Sequence, residues 1–169
     1  MSCASTETAD ELSSRGIGSE EFRSTMSRWA TGVSVITAFC GGGPVGLISN
    51  SFTSVSLEPP LVSWCLDRRS SSFDAWLDAD AFAVHVLAAG QEEMVSRFSR
   101  RGGDKFQGLD WVAGRSGAPL LDGAVATFQC GVHARYKAGD HVILLGLVTD
   151  TSQDDLLPML YVDGAIRAS

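Results

Sequence analysis

Residues 126–149, ATFQCGVHARYKAGDHVILLGLVT, contain two strand-like segments separated by a short turn. In the first segment, apolar side chains occupy alternate positions from Ala126 to Ala134, and polar side chains or glycine lie between them. This twofold period is typical of a half-buried β-strand. The turn KAGD lies at 137–140, and the apolar run after it provides the returning strand. The stretch therefore predicts a fold built on antiparallel β-strands.

The N-terminal half of the chain shows the same twofold period. Alternate positions from Val33 to Phe39 share one face, and the turn GGGP at 41–44 leads into a second run at 45–57. Prolines end this run, and the apolar segment at 61–66 then predicts a strand that is buried on both faces. Further strand-like segments lie at 82–88 and 159–163.

Three helices are predicted between the strands. The first begins with Ser19 as its N-cap and continues to Gly32, and the others lie at 70–79 and 90–99. The residues expected on their apolar faces are Phe22, Met26 and Trp29, then Phe73, Trp76 and Leu77, then Met94, Val95 and Phe98. Because strands and helices do not alternate regularly, the pattern predicts a mainly β protein with a few helices, arranged as a closed or split β-barrel.

The length of 169 residues and the hydrophobic content of 44% are typical of one globular domain. Residues 1–18 contain few large apolar side chains, so we expect a loose tail there and a single domain over 19–169. Residues 101–123 hold six of the 18 glycines and have no clear period. They predict a long loop over the surface.

Charge and cysteine usage exclude several classes of protein. The formal net charge of −7 disfavours binding to nucleic acid or to an anionic membrane. No apolar run approaches the roughly 18 residues of a membrane-spanning helix, and the N-terminus lacks the apolar core of a signal peptide. The four cysteines are widely separated, so neither a metal site nor a disulfide framework is expected. These features predict a soluble protein in a reduced, cytoplasmic setting.

The segment GGGPVG at 41–46 satisfies the dinucleotide-binding pattern G-x-G-x-x-G. That pattern requires a strand before it and a helix after it, because the helix N-terminus holds the pyrophosphate. Here Pro44 interrupts the turn and a strand-like run follows. We interpret the segment as the tip of a hairpin.

The segment SNSFTSVS at 49–56 carries a hydroxyl or amide at six of its eight positions. One interpretation is an exposed edge strand or a series of Ser/Thr turns. The other is a concave site in which short donors and acceptors meet the edge of a flat heterocycle. Composition alone leaves both open.

An ordered series of segments resembles a known family. The segments are ATGVSVIT at 30–37, GLISNSFTSVSLEPPLV at 46–62, FAVHVLA at 82–88, RFSRRGGDKFQG at 97–108 and GDHVILLGLV at 139–148. They are similar to the short-chain flavin reductases, the reductase components of two-component flavin-dependent monooxygenases. The resemblance covers about residues 22–162. It implies a split β-barrel homodimer that binds FMN or FAD near the subunit interface. It also implies that NADH or NADPH reduces the flavin, which then passes to a separate monooxygenase.

The resemblance also implies roles for individual residues. Ser49, Asn50 and Ser51 would face the pyrimidine edge of the flavin, and His141, in the G-D-H motif, would act at the nicotinamide site. The phosphate would meet either Ser70 to Ser72, after Arg68 and Arg69, or Arg97 and Phe98. The remaining implied flavin contacts are Thr31, Gly32, Val33 and Ser34 at a helix-to-strand junction, and Ser54 and Ser56 further along the polar segment.

Other chemistry-bearing residues are given structural roles. We expect His85 to be a hydrogen-bonded core residue, His133 to face solvent, Cys65 to lie in the core, and Asp104 to pair with Lys105.

Two segments depart from the family pattern. Leu47-Ile48-Ser49-Asn50 stands where the family has a block nearer to M-T-A-N, and the C-terminus lacks the family's final aromatic residue. The first departure bears on the choice between FMN and FAD. The second keeps open a non-catalytic flavin carrier that has lost its nicotinamide site. Reduction of ferric chelates is a further alternative.

Overall fold

The computed structural model describes residues 16–168, so most of the predicted N-terminal tail lies outside the described residues. The helices are α1 (Ser19–Met26), α2 (Phe73–Asp78) and α3 (Glu92–Phe98). The strands are β1 (Thr31–Gly32), β2 (Ser34–Cys40), β3 (Gly43–Ser49), β4 (Thr53–Leu57), β5 (Pro60–Asp67), β6 (Ala81–Val86), β7 (Val112–Ala113), β8 (Pro119–Leu120), β9 (Ala126–Ala138), β10 (His141–Gln153), β11 (Met159–Val162) and β12 (Ala165–Ala168). No helix in the described range is long and apolar enough to cross a membrane.

The main sheet has seven antiparallel strands in the order β3-β2-β6-β9-β10-β5-β4. Its two edge strands, β3 and β4, are consecutive in the chain and are joined only by Asn50, Ser51 and Phe52. A flat sheet of seven strands would separate its edges by about 29 Å. Three linking residues span at most about 14 Å between the flanking Cα atoms. The sheet must therefore curl until its edges meet, and the predicted split β-barrel is confirmed.

Two smaller sheets lie beside the barrel. β1, β11 and β12 form a three-stranded sheet in which Thr31 pairs with Tyr161. β7 and β8 form a short hairpin inside the segment predicted to be a surface loop. That segment also buries Phe106 and Leu121, so it covers one flank of the barrel as well as running over its surface.

The core has two apolar clusters. The larger fills the barrel, where the rings of Trp64 and Trp76 meet edge to face with centroids 5.1 Å apart. The smaller lies between β2, α3 and the 101–123 segment and contains Val35, Phe98 and Phe106. Burial of one large aromatic side chain contributes about 2 to 3 kcal/mol. The predicted apolar faces of α2 and α3 pack into the larger and the smaller cluster respectively, so both predictions are confirmed.

The first helix differs from its prediction. It ends at Met26, its N-cap is Gly18, and it buries none of its residues. Phe22, Met26 and Trp29 are all exposed, so the apolar face has no partner among the described residues of this chain.

Two strands also differ from prediction. The run at 45–57 is broken at Asn50, because Ser49 and Ser51 form local hydrogen bonds that turn the chain. In β5 only alternate residues are fully buried, and Cys65 is half-buried and does not belong to the core. One face of β5 therefore borders a surface cavity.

Candidate functional site

Three adjoining cavities meet at Asn50, in the link between β3 and β4. The first is an open groove of about 1070 Å³ between α1 and the start of β4. The second, of about 250 Å³, is apolar and lies between β3 and α3. The third, of about 280 Å³, runs from β3 to the start of β10. Asn50 borders all three, so a ligand that spans them must pass this residue.

Hydrogen bonds hold the link while leaving the Asn50 side chain free. The hydroxyl oxygens of Ser49 and Ser51 lie 2.9 Å apart, and the Ser51 Oγ accepts the backbone N–H of Cys65 at 2.9 Å. Ser49 is buried and Asn50 is exposed. The Asn50 amide makes no hydrogen bond with the residues that the structure describes. Its donors and acceptor are therefore available to a ligand.

Aromatic side chains line the open groove. Trp29 from the segment after α1, Phe52 from the link and Tyr161 from β11 all border it. The Oγ1 of Thr31 is buried at the same place and has no hydrogen-bond partner within residues 16–168. A buried hydroxyl without a partner is costly, so this atom points to a ligand or solvent contact.

His141 at the start of β10 and Asp67 at the end of β5 border the third cavity, and each contacts a charged neighbour. The Nδ1 of His141 lies 2.8 Å from Asp140 Oδ1, and its side chain is 38% exposed. Nearby, Asp67 accepts hydrogen bonds from Arg69, which lower the pKa of the Asp67 carboxyl to about 2. The hydrogen bond from His141 also lowers the pKa of Asp140. Both carboxylates are therefore ionised at neutral pH and hold their partners in place.

Several of the sequence-predicted site residues come together here. Ser49, Asn50, Ser51, Ser70 and His141 all border the third cavity. Val33 borders the second cavity, and Thr31 and Gly32 border the open groove.

Other predicted site residues lie elsewhere. Ser34 is 2% exposed, because β3 and β6 pair on either side of it. Ser54 and Ser56 continue along β4, beyond the three cavities. Ser72 borders a separate cavity of about 210 Å³. We leave these four side chains out of the proposed ligand contacts around Asn50.

At the Arg97–Phe98 alternative for the phosphate, the ring is buried and the guanidinium already bonds to neighbouring residues. Phe98 is 1% exposed, and the Arg97 guanidinium donates to the backbone oxygen of Gln107 at 2.9 Å and to Glu93 at 3.3 Å. The expected ion pair between Asp104 and Lys105 does not form. Asp104 instead accepts two backbone N–H groups, and Lys105 donates to backbone oxygens.

Two of the three histidines behave as expected. His85 is fully buried, with Nδ1 3.2 Å from the Val35 oxygen and Nε2 accepting the Leu121 N–H at 3.1 Å. Burial lowers the pKa of His85 to about 4. His133 is exposed on β9. His141 is thus the one histidine that borders the candidate site.

Sequence reasoning missed Trp29, Val95, Tyr161 and Ile166 as residues of the site. Trp29, Val95 and Tyr161 belong to elements that were predicted from local patterns, whereas no element was predicted around Ile166. These elements meet only through long-range pairings such as that of β1 with β11. The one available signal is the aromatic character of Trp29 and Tyr161.

The donor set fits a flat heterocycle with a polar edge. Ile48, Val33 and Val95 supply apolar cover, while the Asn50 amide and the Ser49 and Ser51 hydroxyls supply short polar groups on one side. Ligand sites typically combine a mostly apolar lining with a few such groups. Residues 16–168 contain no cluster of three or more side chains suited to a metal ion.

Comparisons with known proteins agree with this chemistry. The family model described as "Flavin reductase like domain" matches residues 26–169. The chain is 41% identical over 150 residues to the FMN reductase (NADH) SmoA of Agrobacterium fabrum, a match that covers 89% of this chain and 86% of SmoA. It is 36% identical over 154 residues to HsaB of Rhodococcus jostii, a flavin-dependent monooxygenase reductase subunit, with coverage of 90% and 79%.

A solved structure extends the likeness to three dimensions. The NADH:FAD oxidoreductase SgcE6 of Streptomyces globisporus, determined in complex with NAD and FAD fragments, matches with a TM-score of 0.83 at 40% identity. The match covers 89% of this chain and 92% of that chain.

Proposed function

The chain belongs to the flavin reductase-like family, and on this basis we propose that it is an NAD(P)H:flavin oxidoreductase. It transfers hydride from NADH or NADPH to FMN or FAD and supplies reduced flavin to a separate monooxygenase. The names of SmoA and SgcE6 support NADH as donor, and that of HsaB supports a monooxygenase partner. We favour NADH and FMN.

One observation carries the proposal: the free Asn50 amide stands where three cavities meet, between an apolar wall and a polar wall. Bound flavin would supply a hydride acceptor there. Asn50, Ser49 and Ser51 would bind its pyrimidine edge, and their fixed dipoles stabilise negative charge without reorganising. Ser70 also borders the third cavity and follows Arg68 and Arg69 in the chain, and we expect the phosphate to lie there.

The task of the protein is to orient two ring systems. Such reactions need the reacting atoms held about 3 to 3.5 Å apart and water excluded, and they need no protein acid or base. His141 is braced by Asp140 through Nδ1, which leaves Nε2 for a contact with the nicotinamide. This assignment gives the residues of the site no role as a nucleophile or a general base.

We further propose that the chain acts as a homodimer. The resemblance to the family supports this proposal. So does the exposed apolar face of α1, which borders the open groove beside Trp29. Light scattering during gel filtration tests it, since a monomer at micromolar concentration would contradict it.

Anaerobic mixing of the protein with FMN and NADH tests the activity. We expect bleaching of the flavin absorbance far faster than in the protein-free control. Tight flavin binding without acceleration would instead identify a flavin carrier, and reduction of ferric chelates without added flavin would identify a chelate reductase. Repeating the assay with NADPH and with FAD determines the preferred pair of substrates.

A further inference from the structure

Lys105 connects two elements on either side of the second cavity. Its Nζ donates to the backbone oxygen of Gly46 in β3 at 3.0 Å and to that of Phe98, the last residue of α3, at 2.9 Å. An ammonium group has donors only, and these two carbonyls satisfy most of them in a half-buried position. The Phe98 carbonyl also lies at the negative end of its helix, where a cation is favoured.

The same two elements make a second, apolar contact. Gly46 has no side chain, and the Phe98 ring occupies the space that a side chain would take: an added Cβ would lie only 2.8 Å from Phe98 Cδ1. Phe106 packs edge to face on Phe98, with centroids 5.3 Å apart. We call Lys105, Gly46 and Phe98 together the Lys105 clamp.

The loop that carries Lys105 is itself held in place. Asp104 Oδ1 accepts the N–H groups of Phe106 and Gln107 at 2.8 and 3.1 Å. Arg97 donates to the backbone oxygens of Lys105 and Gln107. These hydrogen bonds hold the backbone around Lys105, so the loop positions its ammonium group next to β3. Burial lowers the pKa of Lys105, as expected for a cation drawn partly out of water.

The clamp lies next to the candidate site without touching its open space. Gly46 precedes Ile48 and Ser49 on β3, and Phe98 follows Val95 on α3. Ile48, Ser49 and Val95 all border the second cavity. The spacing of β3 and α3 therefore sets the width of that cavity.

We propose that Lys105 is a positioning residue that fixes β3 against α3 and so holds the apolar wall of the flavin site at the width of the ring system. The proposal rests on the proposed flavin reductase function. It assigns Lys105 a role inside the protein, in place of the expected ion pair with Asp104.

Titrations of Lys105→Met with FMN and with riboflavin test this role. Riboflavin has the same rings and no phosphate. We expect the Kd of both to rise by the same factor, about tenfold, since displacements of about 1 Å in a site cost up to about 100-fold. A rise for FMN alone would mean that Lys105 binds the phosphate, and unchanged Kd values would mean that it does not shape the site. Either result overturns the proposal.

Lys137→Met is the matched control, because Lys137 is exposed near the end of β9. Both of its Kd values should equal those of the wild type. If Lys105→Met does not fold, Phe98→Leu is the second variant, because it weakens the contact of the Phe98 ring with Gly46. The Kd values of FMN and riboflavin should again rise by the same factor.

Amide hydrogen exchange without flavin separates this proposal from the proposed function. Exchange at Leu47–Ser49 should be at least about threefold faster in Lys105→Met than in the wild type, because a loosened element opens more often. Unchanged exchange overturns the clamp. If the wild type binds no flavin, the function fails while the exchange data still decide the clamp.

Discussion

Asn50 is the only asparagine in the chain, and its amide borders all three cavities without a hydrogen bond to any residue in the range 16–168. The polar run at 49–56 left two interpretations open, and it was the resemblance to the family that implied a flavin contact for this residue and its two serine neighbours. It could not separate them from Ser54 and Ser56, which belong to the same run. The difference arises from the turn at Asn50, where the Ser49 and Ser51 hydroxyls form a hydrogen bond with each other. Such side-chain hydrogen bonds compete with strand pairing, and composition alone does not reveal where they form.

Replacing Asn50 with Ala should weaken flavin binding. The substitution removes hydrogen bonds to the polar edge of the ring, each with a net value of about 0.5 to 1.5 kcal/mol, so we expect the Kd to rise about tenfold. Flavin fluorescence titration measures this change. Gln153→Ala, which removes an exposed amide at the end of β10, is the control. An unchanged Kd for Asn50→Ala would remove Asn50 from the site.

Replacing His141 with Ala should slow flavin reduction by NADH about tenfold or more and leave the flavin Kd within about twofold. A residue that orients the nicotinamide affects the rate of hydride transfer, and it makes no contact that holds the flavin. Anaerobic stopped-flow measurement of flavin bleaching gives the rate. His133→Ala, on the exposed part of β9, should match the wild type. Equal rates in the two variants would refute the role of His141.

At the scale of elements, local patterns identified β6, α2, α3 and the β9–β10 hairpin. They underestimated β9, because residues 135–138 are exposed yet pair with β10 as far as Ala138. They overestimated α1, whose 3.6-residue period suggested an inward face that no described residue of this chain covers. Periodicity reports that a face is apolar, and it does not report what covers that face.

Gly146 in β10 allows the Phe82 ring to pack against the strand. A Cβ at this position would lie 2.9 Å from Phe82 Cε1 and 3.0 Å from the Cys130 Cβ, and Phe82 is fully buried. We expect Gly146→Ala to lower the free energy of unfolding by about 1 to 3 kcal/mol, as overpacking does. Urea denaturation measures the loss.

Gly131 in β9 is the matched control for this substitution. An added Cβ there meets no atom within 4 Å, so Gly131→Ala should change the stability by less than about 0.5 kcal/mol. Equal stabilities of the two variants would show that Phe82 can move aside.

At the scale of the whole molecule, the local sequence pattern does not predict the order of the strands in the main sheet. The order β3-β2-β6-β9-β10-β5-β4 depends on pairings between distant segments, such as β6 with β9 and β5 with β10. The local pattern predicts antiparallel strands with a few helices in a closed or split β-barrel. The resemblance to the family selected the split barrel, and the pairings confirm it.

Acid should destabilise the molecule through His85, which joins β6 to β2 and to Leu121. Burial lowers its pKa from 6.5 to about 4. The unfolded chain therefore binds the proton more readily, and stability is complete above pH 6.5 and lost as the pH falls toward 4. The loss amounts to about 3 kcal/mol at most, since one pKa unit corresponds to about 1.4 kcal/mol.

Urea denaturation at pH 7.5 and at pH 5 measures this loss. The carboxyl of Asp67 has a lowered pKa as well, but its contribution is lost only below its ordinary value of 3.8, outside this window. His85→Gln should be less stable at pH 7.5 and should show a smaller difference between the two pH values. An equal difference in variant and wild type would assign the acid sensitivity to other groups.

The three-residue link from Asn50 to Phe52 joins the two edge strands of the barrel, and in the proposed function it also lines the flavin site. Inserting or deleting a residue there would change the closure of the barrel together with the space for the ring system. The length of the link is therefore constrained by closure, whereas replacing an exposed side chain beside it, such as Trp29, should change the lining of the groove and leave the barrel intact.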